Sequence, residues 1–160
     1  MTPFSIELEL DASPDALLEL YVDPAFQEFK ATNTGSTRAK ASRREESDGS
    51  LLLIVETWRP AHWGSGEEEM RYECRFPAGS KKGSWKRVVK GMENRTRVEG
   101  TVDILARGDG GTIITRGEID IRVPLMGRRI ERRIVDGIAE GKQRELRLWR
   151  EGLTKFAKAG

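Results

Sequence analysis

The sequence predicts one α+β domain in which an antiparallel sheet meets a long C-terminal helix. Three observations carry this. The chain opens on an alternating strand followed by two helix-start signals. Its middle, Ser36 to Pro124, reads as strand after strand parted by turn residues, with no helical stretch between them. Residues 125–159 then contain no proline and repeat apolar side chains at helical spacing. A length of 160 residues suits one domain.

Phe4, Ile6, Leu8 and Leu10 alternate with Ser5, Glu7 and Glu9, the period of a half-buried strand. Ser13-Pro14-Asp15 then supplies a capping hydroxyl, a first-turn proline and an acid at the positive end of the dipole. A short helix through Leu17, Leu18 and Tyr21 follows. Asp23-Pro24 breaks it and opens a second, carrying Phe26 and Phe29, which Asn33-Thr34-Gly35 ends.

Strands are expected near Ser36–Glu46, Ser50–Trp58, Glu68–Phe76, Ser84–Lys90, Arg95–Ala106 and Gly111–Val123. Their separators, such as Asp48-Gly49, Pro77 to Gly83 and Gly108 to Gly111, are turn chemistry. Hairpin spacing without crossover helices implies an antiparallel meander. In the third of these strands Met70, Tyr72, Cys74 and Phe76 share one face, with Glu69, Arg71, Glu73 and Arg75 on the other. In the last, Ile113, Thr115, Gly117, Ile119, Ile121 and Val123 form the inward row.

Ile130, Ile134, Ile138, Leu146, Trp149, Leu153 and Phe156 make the C-terminal stretch a long amphipathic helix. Gly127, Gly137, Gly141 and Gly152 are unusual inside it, since each costs about 1 kcal/mol relative to Ala.

Composition excludes several functions. With 28 Lys+Arg against 26 Asp+Glu, the net charge of +2 lacks the basic excess of a nucleic-acid binder. One cysteine (Cys74) and one histidine (His62) rule out a disulfide framework and an ordinary zinc centre. There is no glycine-rich phosphate loop opening a helix, and no cofactor or metal is expected. The N-terminus lacks a signal-peptide pattern and no apolar run reaches the ~20 residues of a membrane span, so a cytoplasmic protein is expected. Oligomeric state is left open, as is transient membrane contact.

This succession (strand, two short helices, six strands, long helix) is the helix-grip arrangement. With Phe4-Ser5-Ile6, Ser13-Pro14, Val123-Pro124-Leu125-Met126-Gly127 and Ile130-Glu131, the chain resembles the START-like superfamily and a bacterial subfamily of unknown function within it. That superfamily includes the birch pollen allergen, polyketide cyclases and lipid-transfer domains. The resemblance covers nearly the whole sequence. It implies a curved seven-stranded antiparallel sheet wrapping the C-terminal helix, with a cavity between them; function varies across the scaffold.

A small hydrophobic or amphipathic ligand, such as a lipid, quinone or polyketide, is therefore the expected partner. The expected lining is Met70, Tyr72, Cys74, Phe76, Thr115, Gly117, Ile119, Ile134, Gly137, Ile138, Gly141 and Glu145. Thr115 and Gly117 facing Gly137 and Gly141 would leave a void or a close approach. His62 and Trp63, in a loop between strands, would guard the mouth. Cys74 reads as a buried, inert thiol. The cluster Arg128, Arg129, Arg132 and Arg133 reads as a solvated face paired with Glu131, Asp136 and Glu140, or as an anion clamp. Two alternatives stand beside ligand binding. One is a cyclase- or hydrolase-like enzyme using His62, Tyr72 or Glu145, for which no nucleophile motif or triad is visible. The other is a protein–protein interaction module.

Overall fold

The computed structural model describes residues 1–61 and 65–156. Strand β1 (Thr2–Leu10) leads into helices α1 (Pro14–Tyr21) and α2 (Pro24–Thr32). Six strands follow: β2 (Arg38–Glu45), β3 (Leu51–Pro60), β4 (Glu67–Phe76), β5 (Lys82–Val89), β6 (Thr96–Arg107) and β7 (Gly110–Ile121). Helices α3 (Gly127–Glu140) and α4 (Lys142–Lys155) close the described chain. The strands form one curved antiparallel sheet in the order β1-β7-β6-β5-β4-β3-β2, so the first strand pairs with the last. This is the helix-grip arrangement.

Local signals explain the helix starts. The Ser13 hydroxyl accepts from the Ala16 N–H at 3.2 Å, and Asp23 Oδ1 accepts from the Ala25 N–H at 2.9 Å. Both caps satisfy a first-turn donor that would otherwise lack a partner. Helix α2 lies along the free edge of β2, where Glu28 Oε1 accepts the Ala41 N–H at 3.0 Å. That side chain blunts an edge that would otherwise offer its backbone to another strand.

Gly100 of β6 sits opposite Gly117 of β7. A Cβ on Gly100 would lie 1.8 Å from the Arg116 carbonyl oxygen, so no larger residue fits. Glycines at such positions let strands coil sharply.

One half of the inner face is filled. Leu8, Leu10, Leu53, Phe76, Val102, Ile104 and Ile113 are buried together with Leu17 of α1, Phe26 of α2 and Trp149 of α4. Phe26 packs edge-on to Trp149 at 4.8 Å and Tyr21 edge-on to Phe76 at 5.6 Å, contacts that add to plain area burial. Gly152 is explained here, because a Cβ would sit 2.3 Å from the Phe26 ring.

Two expectations require correction. The C-terminal stretch is two helices of 14 residues rather than one rod, parted at Gly141. Gly137 and Gly141 lie one turn apart, and two poor helix formers together make that turn the cheapest place to interrupt the helix. Glu131 is not a surface partner of the neighbouring arginines. It is buried, accepting the Thr2 hydroxyl at 2.6 Å and the Ile121 N–H at 2.9 Å, and so ties α3 to both β1 and β7. Those two bonds hold its carboxyl below the usual range against a weaker opposing desolvation.

Candidate ligand-binding site

Alternation along each strand decides which side chains face the helices, and register aligns them across the sheet. Tyr72 of β4 stands opposite Arg87 of β5, and Arg87 opposite Val98 of β6. These belong to the inward phase that also holds Trp85 and Cys74. Towards the end of β3 the same phase delivers Thr57 and Arg59. Yet Thr57, Arg59, Tyr72, Val89 and Val98 are only half-buried, and Arg87 is exposed. Among the described residues, the helices that fill one end of the palm do not cover the other end.

A second space lies beside it. Phe4 and Ile6 of β1 face Val135, Ile138 and Ala139 of α3 and Lys142 of α4 across a half-open groove of about 360 Å³. Phe4 stands between the two spaces. Its ring is 6.0 Å from Trp85, which is 6.0 Å from Tyr72, and Tyr72 meets Tyr21 hydroxyl to hydroxyl. A row of rings thus floors the palm from the groove to the open end.

Polar groups are few and specific. Lys30 Nζ bonds Glu145 Oε1 at 2.8 Å and lies 5.6 Å from the Trp149 ring centre. Burial pushes the Glu145 carboxyl up, but the Lys30 charge and its hydrogen bond outweigh that, so it stays ionised. Burial pushes both Tyr21 and Tyr72 well above the ordinary phenol range. They are neutral hydroxyls, able to donate hydrogen bonds but unfit as bases at neutral pH. The Arg87 guanidinium carbon lies 5.8 Å from the Tyr72 ring centre. Burial raises the Cys74 thiol to about 12, which leaves no thiolate for chemistry.

The expected lining is scattered by the structure. Met70, Cys74, Phe76 and Ile119 are buried in packed core. Thr115 is half-buried, whereas Gly117 is covered, since a Cβ there would lie 2.7 Å from both the Phe4 and Trp85 rings. At Gly117, where a void or a close approach of sheet and helix was expected, the Phe4 and Trp85 rings pack instead. Gly137 has nothing within 4 Å and Ile134 is 38 % exposed, so neither faces Thr115 or Gly117. Gly141 marks the helix junction, Ile138 lines the groove, and Glu145 is half-buried beside Lys30. Arg128, Arg129, Arg132 and Arg133 are exposed. His62 and Trp63 lie outside the described residues.

Sequence reasoning missed Arg59 and Arg87, although both fall on the inward phase of their strands, two residues from Thr57 and Trp85. It missed Lys30 as the partner of Glu145. Among the described residues no cluster of three or more His, Cys, Asp or Glu could hold a metal, and no helix is long and apolar enough to cross a membrane.

Solved structures share this arrangement. A protein from Thermus thermophilus, TTHA0849, superposes with a TM-score of 0.65 at 15% identity, over 95% of this chain and 94% of that one. A START superfamily protein from Mycobacterium smegmatis gives 0.62 at 14% identity, over 92% and 95%. Norcoclaurine synthase from Thalictrum flavum, in complex with dopamine and hydroxybenzaldehyde, gives 0.62 at 12% identity, over 98% and 89%. The fold is therefore that of the START-like superfamily. A family model described as "Protein of unknown function (DUF2505)" matches residues 5–151, and the chain belongs to that family. No curated protein matches it in sequence.

Proposed function

We propose that this protein binds a small apolar or amphipathic molecule between its sheet and its C-terminal helices. The observation that supports this most is the half-open groove of about 360 Å³ between β1 and α3, walled by Phe4, Ile6, Val135 and Ile138 together with the polar Ser5, Glu7 and Lys142. Its volume falls within the range of small-molecule sites. Burying apolar ligand surface there is worth about 25 cal/mol per Å² before association costs.

Catalysis on the bound molecule is the second reading, and one observation favours it. The Tyr21–Tyr72 pair keeps its protons through burial, and such a hydroxyl can polarise a carbonyl oxygen. Cys74 stands beside the pair, but burial keeps it a neutral thiol, so binding takes precedence.

Titration with phenylnaphthylamine, a neutral dye that brightens in apolar surroundings, tests the binding reading. Saturable one-site binding is expected, weakened at least tenfold by Ile138→Lys, which places a charge in the groove. Dye fluorescence that never saturates up to its solubility limit would overturn it.

A further inference from the structure

The sheet has two edge strands, β1 and β2, and the chain treats them differently. At β2 the Glu28 carboxylate takes the outward Ala41 N–H at 3.0 Å. At β1 the phase of the ladder shows which backbone groups point out. The Arg122 N–H donates to the Arg95 carbonyl at 2.7 Å, so the even-numbered residues of β7 face β6, while the Ile121 N–H turns the other way to Glu131. Alternation along an antiparallel ladder then bonds Phe4, Ile6 and Leu8 to Gly117, Thr115 and Ile113. It turns the N–H and C=O of Ser5, Glu7 and Glu9 away from the sheet, and among the described residues no group answers them. Pro3 falls in the same outward phase, where a strand tolerates a residue that has no N–H.

These outward groups open onto the groove of about 360 Å³, which Ser5 and Glu7 line together with Val135, Ile138 and Ala139 of α3. Successive outward residues stand about 7 Å apart, the repeat of a neighbouring strand. Donors and acceptors at that repeat beside an apolar helix face fit the main chain of an extended peptide, whose alternate side chains would meet α3. Charge narrows the partner. Strand β1 carries no Lys or Arg, and its Glu7 and Glu9 share the single Arg107. An incoming strand with basic residues beside these acids gains favourable cross-strand pairs. A second copy of β1 does not, because pairing centred on the groove brings Glu7 of one copy beside Glu7 of the other. Lys142 belongs to the helix wall, which the apolar row of the peptide faces.

We infer that the groove takes a short extended peptide of alternating apolar and basic residues, laid along β1 as a further strand of the sheet. This rests on the binding reading above and names the class of guest.

The probe is acetyl-Lys-Ile-Lys-Ile-Lys-Ile-amide, followed by displacement of phenylnaphthylamine and by calorimetry. It should displace the dye, and its counterpart with Glu in place of Lys should bind at least about threefold more weakly. Methylating the peptide's backbone nitrogens one at a time should show a period of two. Every second methyl should weaken binding about fivefold or more, the range of one backbone hydrogen bond, and those between should leave it within about twofold. Ser5→Pro removes one outward N–H and sets a ring in the path of the incoming strand. It should fold, since the ladder to β7 does not use that N–H, and should weaken the parent peptide about fivefold or more. Glu7→Lys should abolish or reverse the preference for the Lys peptide. Thermal melts exclude unfolded variants, and the methyl series decides even if neither variant folds. A peptide that fails to displace a bound dye would overturn the strand site alone. So would a methyl series without the period of two, or a wild-type preference for the Glu peptide. Failure of both dye and peptide to bind would overturn the strand site and the binding reading together.

Discussion

Replacing Glu131 by leucine should cost more stability than any other single substitution on α3. The side chain is nearly isosteric, so packing changes little. What it loses is the acceptor for the Ile121 N–H at 2.9 Å and the Thr2 hydroxyl at 2.6 Å. Leaving a buried backbone donor without a partner costs about 1–3 kcal/mol, and bonds to a charged acceptor sit at the stronger end. The sum is about 2–4 kcal/mol, or a fall in Tm of roughly 10 °C for a chain of this size. Glu131→Gln keeps one acceptor oxygen and should lose about half as much. Calorimetry and urea unfolding measure both, with exposed Arg132→Gln as the control expected within about 0.5 kcal/mol of wild type.

The effect also carries a pH signature. The Glu131 carboxyl titrates lower in the folded chain than in the unfolded one, where its value is about 4.3. The unfolded state therefore binds more protons across that window, and stability rises with pH through it. Its contribution is complete above the unfolded value and drains away as pH falls through the folded one. The gap between wild type and Glu131→Leu should accordingly narrow in acid. A leucine variant as stable as wild type at neutral pH, or a gap that widens in acid, is incompatible with this role for Glu131.

Further outcomes follow from the packing. Gly117→Val should destabilise by about 1–3 kcal/mol, because its side chain would meet the Phe4 and Trp85 rings, and urea unfolding reads this directly. Trp149→Ala removes a ring that is 1 % exposed and should cost about 3–5 kcal/mol by the same measurement. Cys74, with its thiol raised to about 12, should react with Ellman's reagent at mild alkaline pH only as fast as the protein opens. Reaction at the rate of a free thiol would show that this part of the core is not closed.

Most of the fold could be read without coordinates, because its strands alternate strictly and its turns are marked by glycine, proline and aspartate. Seven strands and two short helices occur where alternation and caps place them, with ends differing by a few residues. The helix break was harder to read. The four glycines in the C-terminal stretch look alike in sequence, and only packing separates Gly152, pressed by Phe26, from Gly141, where the helix stops. The site was least legible. Glu131 stands among arginines and reads as a surface acid, although it shares the stripe of Gly127, Ile134 and Ile138. Arg59 and Arg87 read as ordinary surface charges because a charged residue on the inward phase of a strand is discounted by any apolar pattern. Small residues suggested an empty space at Gly117, and side chains from two other strands fill it.

Whether the space between β1 and the C-terminal helices receives a guest can be read from amide chemical shifts recorded during phenylnaphthylamine titration. Saturable shifts are expected at Phe4, Ile6 and Ile138, reaching Tyr72 and Val98 along the floor of the palm, with none at Arg44 or Arg71 on the convex side. Shifts confined to the convex face, or none that saturate, would mean that no guest binds there.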